Sequence, residues 1–179
     1  MALPDLALPF GIRDIKLKPL DAAGENPGTM VDLPAARTLS FTEAEEFEEL
    51  DGDDVKIATH GAGPYTEWEL EGGGISLLAY KVIAGGANVL TGTAPNEKRT
   101  YTKLRTDARP YFQPEGQAIS DSGGDVHCVL YRCKADGDLE GEFANGGFFL
   151  TQCSGKGYGS AVSNKLYEFV HNESVVAIA

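Results

Sequence analysis

Hydrophobic and polar residues alternate in short segments along most of the chain, and Gly, Asp, Asn and Pro separate these segments. Alternation is typical of antiparallel β proteins, because successive side chains of a strand point to opposite faces. The clearest segment is 65–71, in which Thr66, Trp68 and Leu70 alternate with three glutamates. The pattern predicts further strands at residues 12–20, from 37 onward, and at 99–106, 111–119, 126–135, 140–144, 147–153 and 166–173.

One helix is indicated, at about residues 75–84. Its apolar positions recur at helical spacing, so that they form a single stripe. These positions are Ile75, Leu78, Ala79, Val82 and Ile83. Gly85 and Gly86 follow the stripe and are expected to end the helix as a C-cap. The fold class predicted is mainly β, a sandwich or barrel of antiparallel strands with one flanking helix.

Two short polar segments carry the chemistry of tight turns. Residues 121–124, with the sequence DSGG, are expected to join two strands of one hairpin. Asn145 and Gly146 favour a type I′ turn in a second hairpin, because both residue types tolerate positive φ. The turns therefore support an antiparallel arrangement of the later strands.

Residues 43–54 form an acidic block that supplies most of the chain's net charge of -12. Eight of the twelve residues are acidic and none is basic: Glu43, Glu45, Glu46, Glu48, Glu49, Asp51, Asp53 and Asp54. As a helix, the block would begin with a capping box formed by Thr42 and Glu45. As a strand, it would continue residues 39–41, turn at 51–54 and return from Val55. The hairpin is favoured, because β-prone residues flank the block on both sides.

The length of 179 residues fits a single domain, here expected to span residues 1–179. Three segments are less well explained by one core: an N-terminal arm at about 1–11, a long loop at about 85–110 and a C-terminal arm at about 170–179. Nucleic-acid binding proteins present basic surfaces that replace the counterions of phosphate, whereas this chain is strongly acidic. The N-terminus does not resemble a signal peptide, and no apolar run is long enough for a membrane span.

Between Glu97 and Arg109 the sequence has five basic residues and only two acidic ones. The five are Lys98, Arg99, Lys103, Arg105 and Arg109. This basic stretch could neutralise the acidic block within one molecule. The two surfaces could instead meet across subunits, where complementary charge would fix their register.

No catalytic or metal site is predicted. Cys128, Cys133 and Cys153 lack a metal-ligand spacing and are expected to be reduced thiols. Cys128 and Cys133 are placed on one predicted strand and face opposite sides of it, so they cannot form a disulfide there. The three histidines, His60, His127 and His171, also lack a metal-ligand spacing. His127 and Cys128 are neighbours on a predicted strand and face opposite sides, so they cannot act as base and nucleophile.

The acidic turn at 51–54 is not a calcium loop of the EF-hand type. Counted from Asp51, positions six and twelve hold Lys56 and Ala62 where that loop requires Gly and Glu. No cofactor is indicated by any other motif. A structural or binding role is therefore favoured over an enzyme.

Several stretches together resemble one protein family. The run from Arg37 to Phe41 leads into EAEEFEEL and GDD, and GAGP is followed by WELEGGG and the predicted helix. Further on come RPYFQPEGQAISDSGGDVHCVLYRCKA, GEF and a C-terminal LYEFV. Over most of its length the chain resembles the major tail tube protein of long, non-contractile-tailed bacteriophages, especially those that infect actinobacteria.

The resemblance implies a tail-tube-like β-sandwich or barrel with a flanking helix. It implies homo-hexameric rings that stack into a hollow tube around a tape measure protein, with DNA passing through the bore. The tail terminator and distal tail proteins would be further partners, and no membrane would be involved. The protein would reside in the virion tail after assembly in the host cytoplasm. The family offers no catalytic residue and no cofactor to carry over.

Within such a tube, acidic residues are expected to line the lumen and repel the DNA backbone. The candidates are Glu43, Glu45, Glu46, Glu48, Glu49, Glu67, Glu69 and Glu71. The five bases Lys98, Arg99, Lys103, Arg105 and Arg109 are candidates for contacts between subunits. Two other hypotheses about the function remain open. One is a cupin-like or lipocalin-like barrel that binds a small molecule, and the other is a related ring-forming protein such as a tail terminator or a secretion-system tube subunit.

Overall fold

A computed structural model describes residues 5–52 and 55–178 of the protein, with only the backbone at residues 52 and 55. This part of the chain forms eleven strands and one helix. The strands are β1 (Pro9–Pro19), β2 (Val31–Asp32), β3 (Ala36–Gly52), β4 (Val55–Gly73), β5 (Ala87–Thr91), β6 (Lys98–Thr102), β7 (Phe112–Ser120), β8 (Asp125–Leu130), β9 (Cys133–Ala135), β10 (Leu150–Gly157) and β11 (Tyr167–Asn172). The helix is α1 (Leu77–Ala84).

Nine strands form one antiparallel sheet that folds into two layers. The first layer has the order β2-β1-β7-β8-β11 and the second has the order β9-β10-β4-β3. The layers are joined where Phe112 of β7 pairs with Cys133 of β9. The sheet does not close into a barrel. The predicted fold class, mainly antiparallel β with a single helix, is confirmed, and the open sheet decides against the barrel.

The predicted strand 126–135 is in fact two strands. The chain turns at Arg132, which has a φ of 50°, and β9 then pairs with β10 of the second layer while β8 pairs with β7 of the first. Strands that switch between layers commonly bend at such a corner. Cys128 and Cys133 therefore lie on different strands, and both are free thiols.

The predicted strand 140–144 and its type I′ turn are wrong. Residues 141–149 lie in no strand, and the segment forms only an isolated bridge between Glu140 and Gln152. Gly146 has a positive φ, but Asn145 does not, whereas a type I′ turn requires both. Phe143 and Phe149 pack against each other, with ring centroids 4.9 Å apart. The segment is therefore an irregular loop.

The acidic block is confirmed as part of a long hairpin, formed by β3 and β4. The register begins with Ala36 opposite Gly72, and Asp51 lies opposite Lys56 near the tip. Of the predicted turn 51–54, Asp53 and Asp54 lie outside the described residues. β3 has 17 residues and β4 has 19, so both are much longer than β9 and β10, the other strands of the second layer.

The core lies between the layers and under the helix. Trp68 and Phe112 meet edge to face across it, with ring centroids 5.3 Å apart. Leu70, Ile15 and Leu17 are completely buried beside them. Edge-to-face aromatic pairs add to the stabilisation that apolar burial supplies. The alternation of segment 65–71 thus identified the inward face correctly.

The helix is capped at both ends. The Ser76 side chain accepts a hydrogen bond from the Ala79 backbone N–H, and Gly85 ends the helix with a φ of 78°. Ala79, Val82 and Ile83 of the predicted stripe are buried against the core. None of the described residues belongs to a helix that is both long and apolar enough to cross a membrane.

A separate two-stranded sheet, β5 and β6, lies within the segment predicted as a long loop. Ala87 pairs with Thr102 at one end and Thr91 with Lys98 at the other. The predicted strand 99–106 is therefore shifted and ends at Thr102. Beyond the last pair, the Lys103 side chain turns back to the helix, where it donates a hydrogen bond to the Ala84 carbonyl.

Candidate assembly surfaces

The distal part of the β3–β4 hairpin, residues 45–52 and 55–61, extends beyond the two-layer body, and we refer to it as the arm. Its two strands pair only with each other among the described strands. Apart from half-buried Gly61, every arm residue whose side chain is described is exposed. An isolated two-stranded hairpin is only marginally stable in water, because it has no core of its own. The arm is therefore an element that would gain stability from a partner.

Large apolar side chains are exposed along the arm. Phe47, Leu50 and Ile57 are 60%, 60% and 65% exposed. They stand among five described carboxylates and one lysine, namely Glu45, Glu46, Glu48, Glu49, Asp51 and Lys56. Lys56 forms an ion pair with Glu49. Apolar groups grouped on a projecting, charged element are typical of a protein interaction site.

The acidic ladder Glu67, Glu69 and Glu71 lies on the outer face of the second layer. These residues alternate with Thr66, Trp68 and Leu70, which face the core, and Glu67 and Glu69 are exposed. On the neighbouring strand β10, Lys156 lies opposite Glu67 and Gln152 opposite Glu71. We refer to this side as the outer face.

Polar partners on the outer face partly neutralise the ladder. Glu71 forms an ion pair with Arg37, with 2.7 Å between the carboxylate oxygen and Nε. Glu69 accepts a hydrogen bond of 2.6 Å from the Gln152 amide. Glu67 is 3.9 Å from the Lys156 ammonium, which also lies over the Tyr65 ring. Exposed pairs of this kind contribute little to stability, so they mainly fix the direction of the side chains.

The eight predicted lumen residues divide between two sides of the hairpin. The register places Glu43 opposite buried Thr66, on the inner side, where its carboxylate accepts a hydrogen bond of 2.9 Å from the Tyr167 hydroxyl. Strand alternation puts Glu45 and Glu49 on the same side as Glu43. The outer side holds the other five, Glu46, Glu48, Glu67, Glu69 and Glu71. This second group contains the whole ladder and shares the outer side with Arg37 and Lys156.

The five predicted bases also divide into two groups. Lys103 donates to the Ala84 and Asp107 carbonyls, and Arg109 donates to the Gly137 carbonyl at 2.5 Å, so both are bound within the chain. Lys98, Arg99 and Arg105 are exposed and make no side-chain hydrogen bond or ion pair within residues 5–52 and 55–178. These three remain available to a second molecule.

The N-terminal segment runs beside the turn between β7 and β8. The Asp121 N–H donates to the Leu8 carbonyl at 2.9 Å, and the Leu8 N–H donates to the Ser120 hydroxyl at 3.0 Å. Leu6, Leu8 and Phe10 are exposed there. The segment is thus attached through its backbone and leaves its apolar side chains uncovered.

The cysteine thiols are not activated. Burial raises the pKa of Cys128 to about 11 and that of Cys153 to about 12, and it raises the pKa of Cys133 well above its usual range. A thiol with so high a pKa is protonated near neutral pH and is a poor nucleophile. His127 and Cys128 face opposite sides of β8, as predicted, since His127 contacts Glu115 and Asp125 while Cys128 packs against the core.

A buried polar cluster of Glu115, Gln117, Asp125 and His127 was not predicted. It lies on β7 and β8, on the face of the first layer that points away from the core. Acidic and polar residues at alternate positions of two strands were its sequence signal, but they looked like an exposed face. Among the described residues, no group of three or more His, Cys, Asp or Glu side chains is arranged to hold a metal ion.

A groove of about 820 Å³ lies between α1 and the segment that leads into β2. Its walls are mainly apolar. They include Met30, Val31, Pro34, Leu78, Val82 and Pro110. The groove is large enough for a small apolar ligand or for side chains of another protein.

No protein-family model matches the sequence, and no curated protein matches it. Among solved structures, the chain is similar to a chain in the cryo-electron microscopy structure of the anti-feeding prophage baseplate, which was 6-fold symmetrised. The two share 10% sequence identity with a TM-score of 0.41, and the alignment covers 96% of this chain and 98% of the other. A TM-score of this size assigns neither fold nor function.

Proposed function

We propose that this protein is the structural subunit of a bacteriophage tail tube, which forms hexameric rings that stack into a conduit for DNA. The observation that supports this best is the arm, an acidic hairpin with exposed apolar side chains that extends from an open sheet. The resemblance of the sequence to tail tube proteins supplies the hexameric ring, the tape measure protein inside the tube, and the tail terminator and distal tail proteins at its ends.

Two edge strands support ring closure. β3 pairs only with β4, and β11 pairs only with β8, among the described strands. An edge strand presents unpaired backbone groups that favour pairing with another chain. Sheets that join edge to edge around a ring consume these groups, as a closed barrel does. The ring is then a closed heterologous contact, whereas stacking of rings is an open-ended one.

The arm supports stacking. It extends beyond the packed body of its own subunit. It carries more carboxylates than bases, together with the exposed side chains Phe47, Leu50 and Ile57. Lys98, Arg99 and Arg105 offer complementary charge on a different part of the surface. We propose that the arm contacts a subunit of the next ring, with apolar contacts for affinity and charge for register.

The outer face is proposed as the wall of the bore. Glu46, Glu48 and the ladder Glu67, Glu69 and Glu71 would present carboxylates to DNA, which carries one negative charge per about 1.7 Å of axis. Repulsion between like charges denies the DNA places to bind, and at physiological salt it acts within roughly 8 Å of the wall. Such a wall would let DNA pass without specific contacts.

Replacing the ladder by lysine tests the wall. In phage particles, the triple change Glu67→Lys, Glu69→Lys and Glu71→Lys is expected to slow DNA ejection several-fold while tubes still form, because the cations would bind phosphate. Ejection kinetics from purified particles measure the effect. A charge-matched control is Asp121→Lys, Asp136→Lys and Asp138→Lys, since these exposed acids lie in loops outside the ladder. Equal ejection rates in both variants would contradict a bore-facing ladder.

A second candidate function rests on the groove beside α1. Its size and apolar walls favour a protein that binds a small apolar molecule. This function requires no assembly, and it leaves the arm without a role. The arm therefore favours the tube.

Negative-stain electron microscopy of the purified protein distinguishes the two functions. A tube subunit is expected to give long hollow filaments of uniform width. A ring-forming relative such as a tail terminator would give single rings. Compact particles only, together with saturable binding of an apolar fluorescent probe in the groove, would overturn the tube and support the second function.

A further inference from the structure

The last described residues of the chain, 173–178, fold back over the polar cluster of the first layer, and we refer to them as the strap. The Val176 N–H donates to Asp125 at 3.0 Å, and the Val176 carbonyl accepts from the Gln117 amide at 2.8 Å. The Ile178 carbonyl accepts from the Lys16 ammonium at 2.7 Å, and the Ile178 side chain is buried. The strap is therefore held by partly buried hydrogen bonds and by the buried Ile178 side chain.

His127 lies at the centre of this attachment. Its Nδ1 is 2.9 Å from a Glu115 carboxylate oxygen. Its Nε2 is 3.1 Å from an Asp125 carboxylate oxygen and 3.0 Å from the Val176 carbonyl oxygen. The side chains of His127, Glu115 and Asp125 are only 8%, 11% and 0% exposed. Water therefore has little access to replace any of these contacts.

The geometry favours the protonated form of the ring. All three neighbours of the two ring nitrogens are hydrogen-bond acceptors. A neutral imidazole has one N–H, so one nitrogen would direct its lone pair at an acceptor. Only the imidazolium donates from both nitrogens, and a buried polar atom left without a partner is costly.

We propose that the strap is docked by the His127 imidazolium and is released when this ring loses its proton. The free carboxyl-terminal segment would then uncover the face formed by Gln117, Asp125 and His127. The device is local to one subunit and does not depend on the proposed tube.

The charges around the ring come from every element that packs against it. β7 contributes Glu115, which Lys18 of β1 also approaches at 3.6 Å, and β8 contributes Asp125. β1 adds Lys16, which binds the strap. Asp14 of β1 lies opposite Gln117, and the strap itself carries Glu173. Of the two carboxylates nearest the ring, Glu115 thus has the Lys18 ammonium beside it, and the imidazolium places a positive charge next to both Glu115 and Asp125.

The pKa shifts define the pH range of docking. Burial lowers the pKa of His127, but the hydrogen bonds to Glu115 and Asp125 outweigh it, so the pKa is raised above 6.5. A raised pKa in the docked state means that docking is fully favoured below about 6.5 and weakens as the pH rises through the raised value. Burial raises the pKa of Asp125, but hydrogen bonds from Asn172, Gln117, Val176 and His127 outweigh it and lower the pKa to about 2. Docking also weakens as the pH falls below about 3.8 towards that value.

Hydrogen–deuterium exchange read by mass spectrometry tests the proposal on the full-length protein, assembled or not. The protection factor of the C-terminal peptide, corrected for the intrinsic rate, is measured from pH 5.5 to 9. Exchange of the His127 ring C–H gives the titration midpoint of the same sample. The protection factor is expected to fall as the pH rises through that midpoint. The total fall should be about tenfold for each unit by which docking raises the His127 pKa.

The variant His127→Gln is expected to lose this pH dependence and to be less protected at pH 6. His60→Gln is the matched control, since His60 is exposed on the arm, and it should behave as the wild type. Protection that stays constant while His127 titrates would overturn the proposal, and so would a pH dependence retained in His127→Gln. If that variant does not fold, the wild-type titration decides alone.

Discussion

The two ends of one hairpin, β3 and β4, have opposite surroundings. At the base, Trp68 is 2% exposed and Leu70 is completely buried. In the arm, Phe47 and Ile57 are 60% and 65% exposed. The same two strands thus continue from a packed core into solvent, and their pairing shifts register only near residues 36–38, 45–47 and 50–51 of the described part.

The difference separates residues that fold the subunit from residues that serve another purpose. Burial of apolar surface at the base contributes to the stability of the monomer, at roughly 25 cal/mol per Å². The arm gains nothing comparable while its apolar side chains face water. Its length and composition agree with the proposal that it is buried in an assembly. The first prediction below compares a base residue with an arm residue, the second compares a closely packed glycine with an open one, and the third changes the arm alone.

The largest effect on subunit stability is expected from Trp68→Ala. Removing this buried ring leaves a cavity beside Phe112 and Leu70, and such changes cost about 3–5 kcal/mol. Phe47→Ala, in the arm, removes an aromatic ring that is largely exposed and is expected to change the free energy of unfolding by less than about 0.5 kcal/mol. Urea unfolding of the unassembled subunits measures both. Similar losses in the two variants would show that the arm belongs to the core.

A smaller loss is expected from Gly155→Ala, on the strand beside Trp68. A methyl group there would collide with the Lys134 carbonyl oxygen and would lie 2.6 Å from the Trp68 ring. Overpacking of this kind costs about 1–3 kcal/mol. Gly147→Ala is the matched control, because a methyl group at that position meets nothing within 4 Å. Thermal unfolding of both variants should show a lowered Tm only for Gly155→Ala.

The smallest effect on stability, with a complete loss of assembly, is expected from the double variant Phe47→Ser and Ile57→Ser. Both side chains are exposed in the subunit, so each change should alter its stability by less than about 0.5 kcal/mol. Filament formation should fail, because the apolar contacts between rings would be lost. Electron microscopy and unfolding experiments on the same preparation separate the two effects. Normal filaments would show that the arm does not join rings.

The strap changes one expectation from the sequence. The C-terminal segment, at about 170–179, was predicted as an arm that a single core explains less well. Ile178 is nevertheless buried within its own chain, and the strap binds Gln117, Asp125 and Lys16. Its removal is therefore expected to lower the stability of the free subunit as well.

Local patterns predicted much of the fold because they have local causes. The alternation of Thr66, Trp68 and Leu70 with glutamates follows from a strand with one buried face, and the stripe of α1 follows from helical spacing. The corner at Arg132 was missed because it depends on two layers that meet only in the folded chain. The loop 141–149 was missed because turn residues do not show whether the flanking segments find pairing partners.

The candidate surfaces were predicted less well than the fold. The sequence identified the acidic block and the bases. It could not show that Glu43, Glu45 and Glu49 lie on the inner side of the hairpin, because the side depends on the register of β3 with β4. It could not show that Lys103 and Arg109 bind backbone carbonyls far along the chain. The cluster around His127 was missed because the strap that buries it lies some 50 residues further on in the sequence.

A cryo-electron microscopy reconstruction of the filaments tests the central claim most directly, because it shows which side of the hairpin faces the axis. The proposal predicts that Glu67, Glu69 and Glu71 line a central bore and that the arm contacts a subunit of the next ring. A reconstruction with these three glutamates on the outside of the filament, away from any central channel, would contradict it.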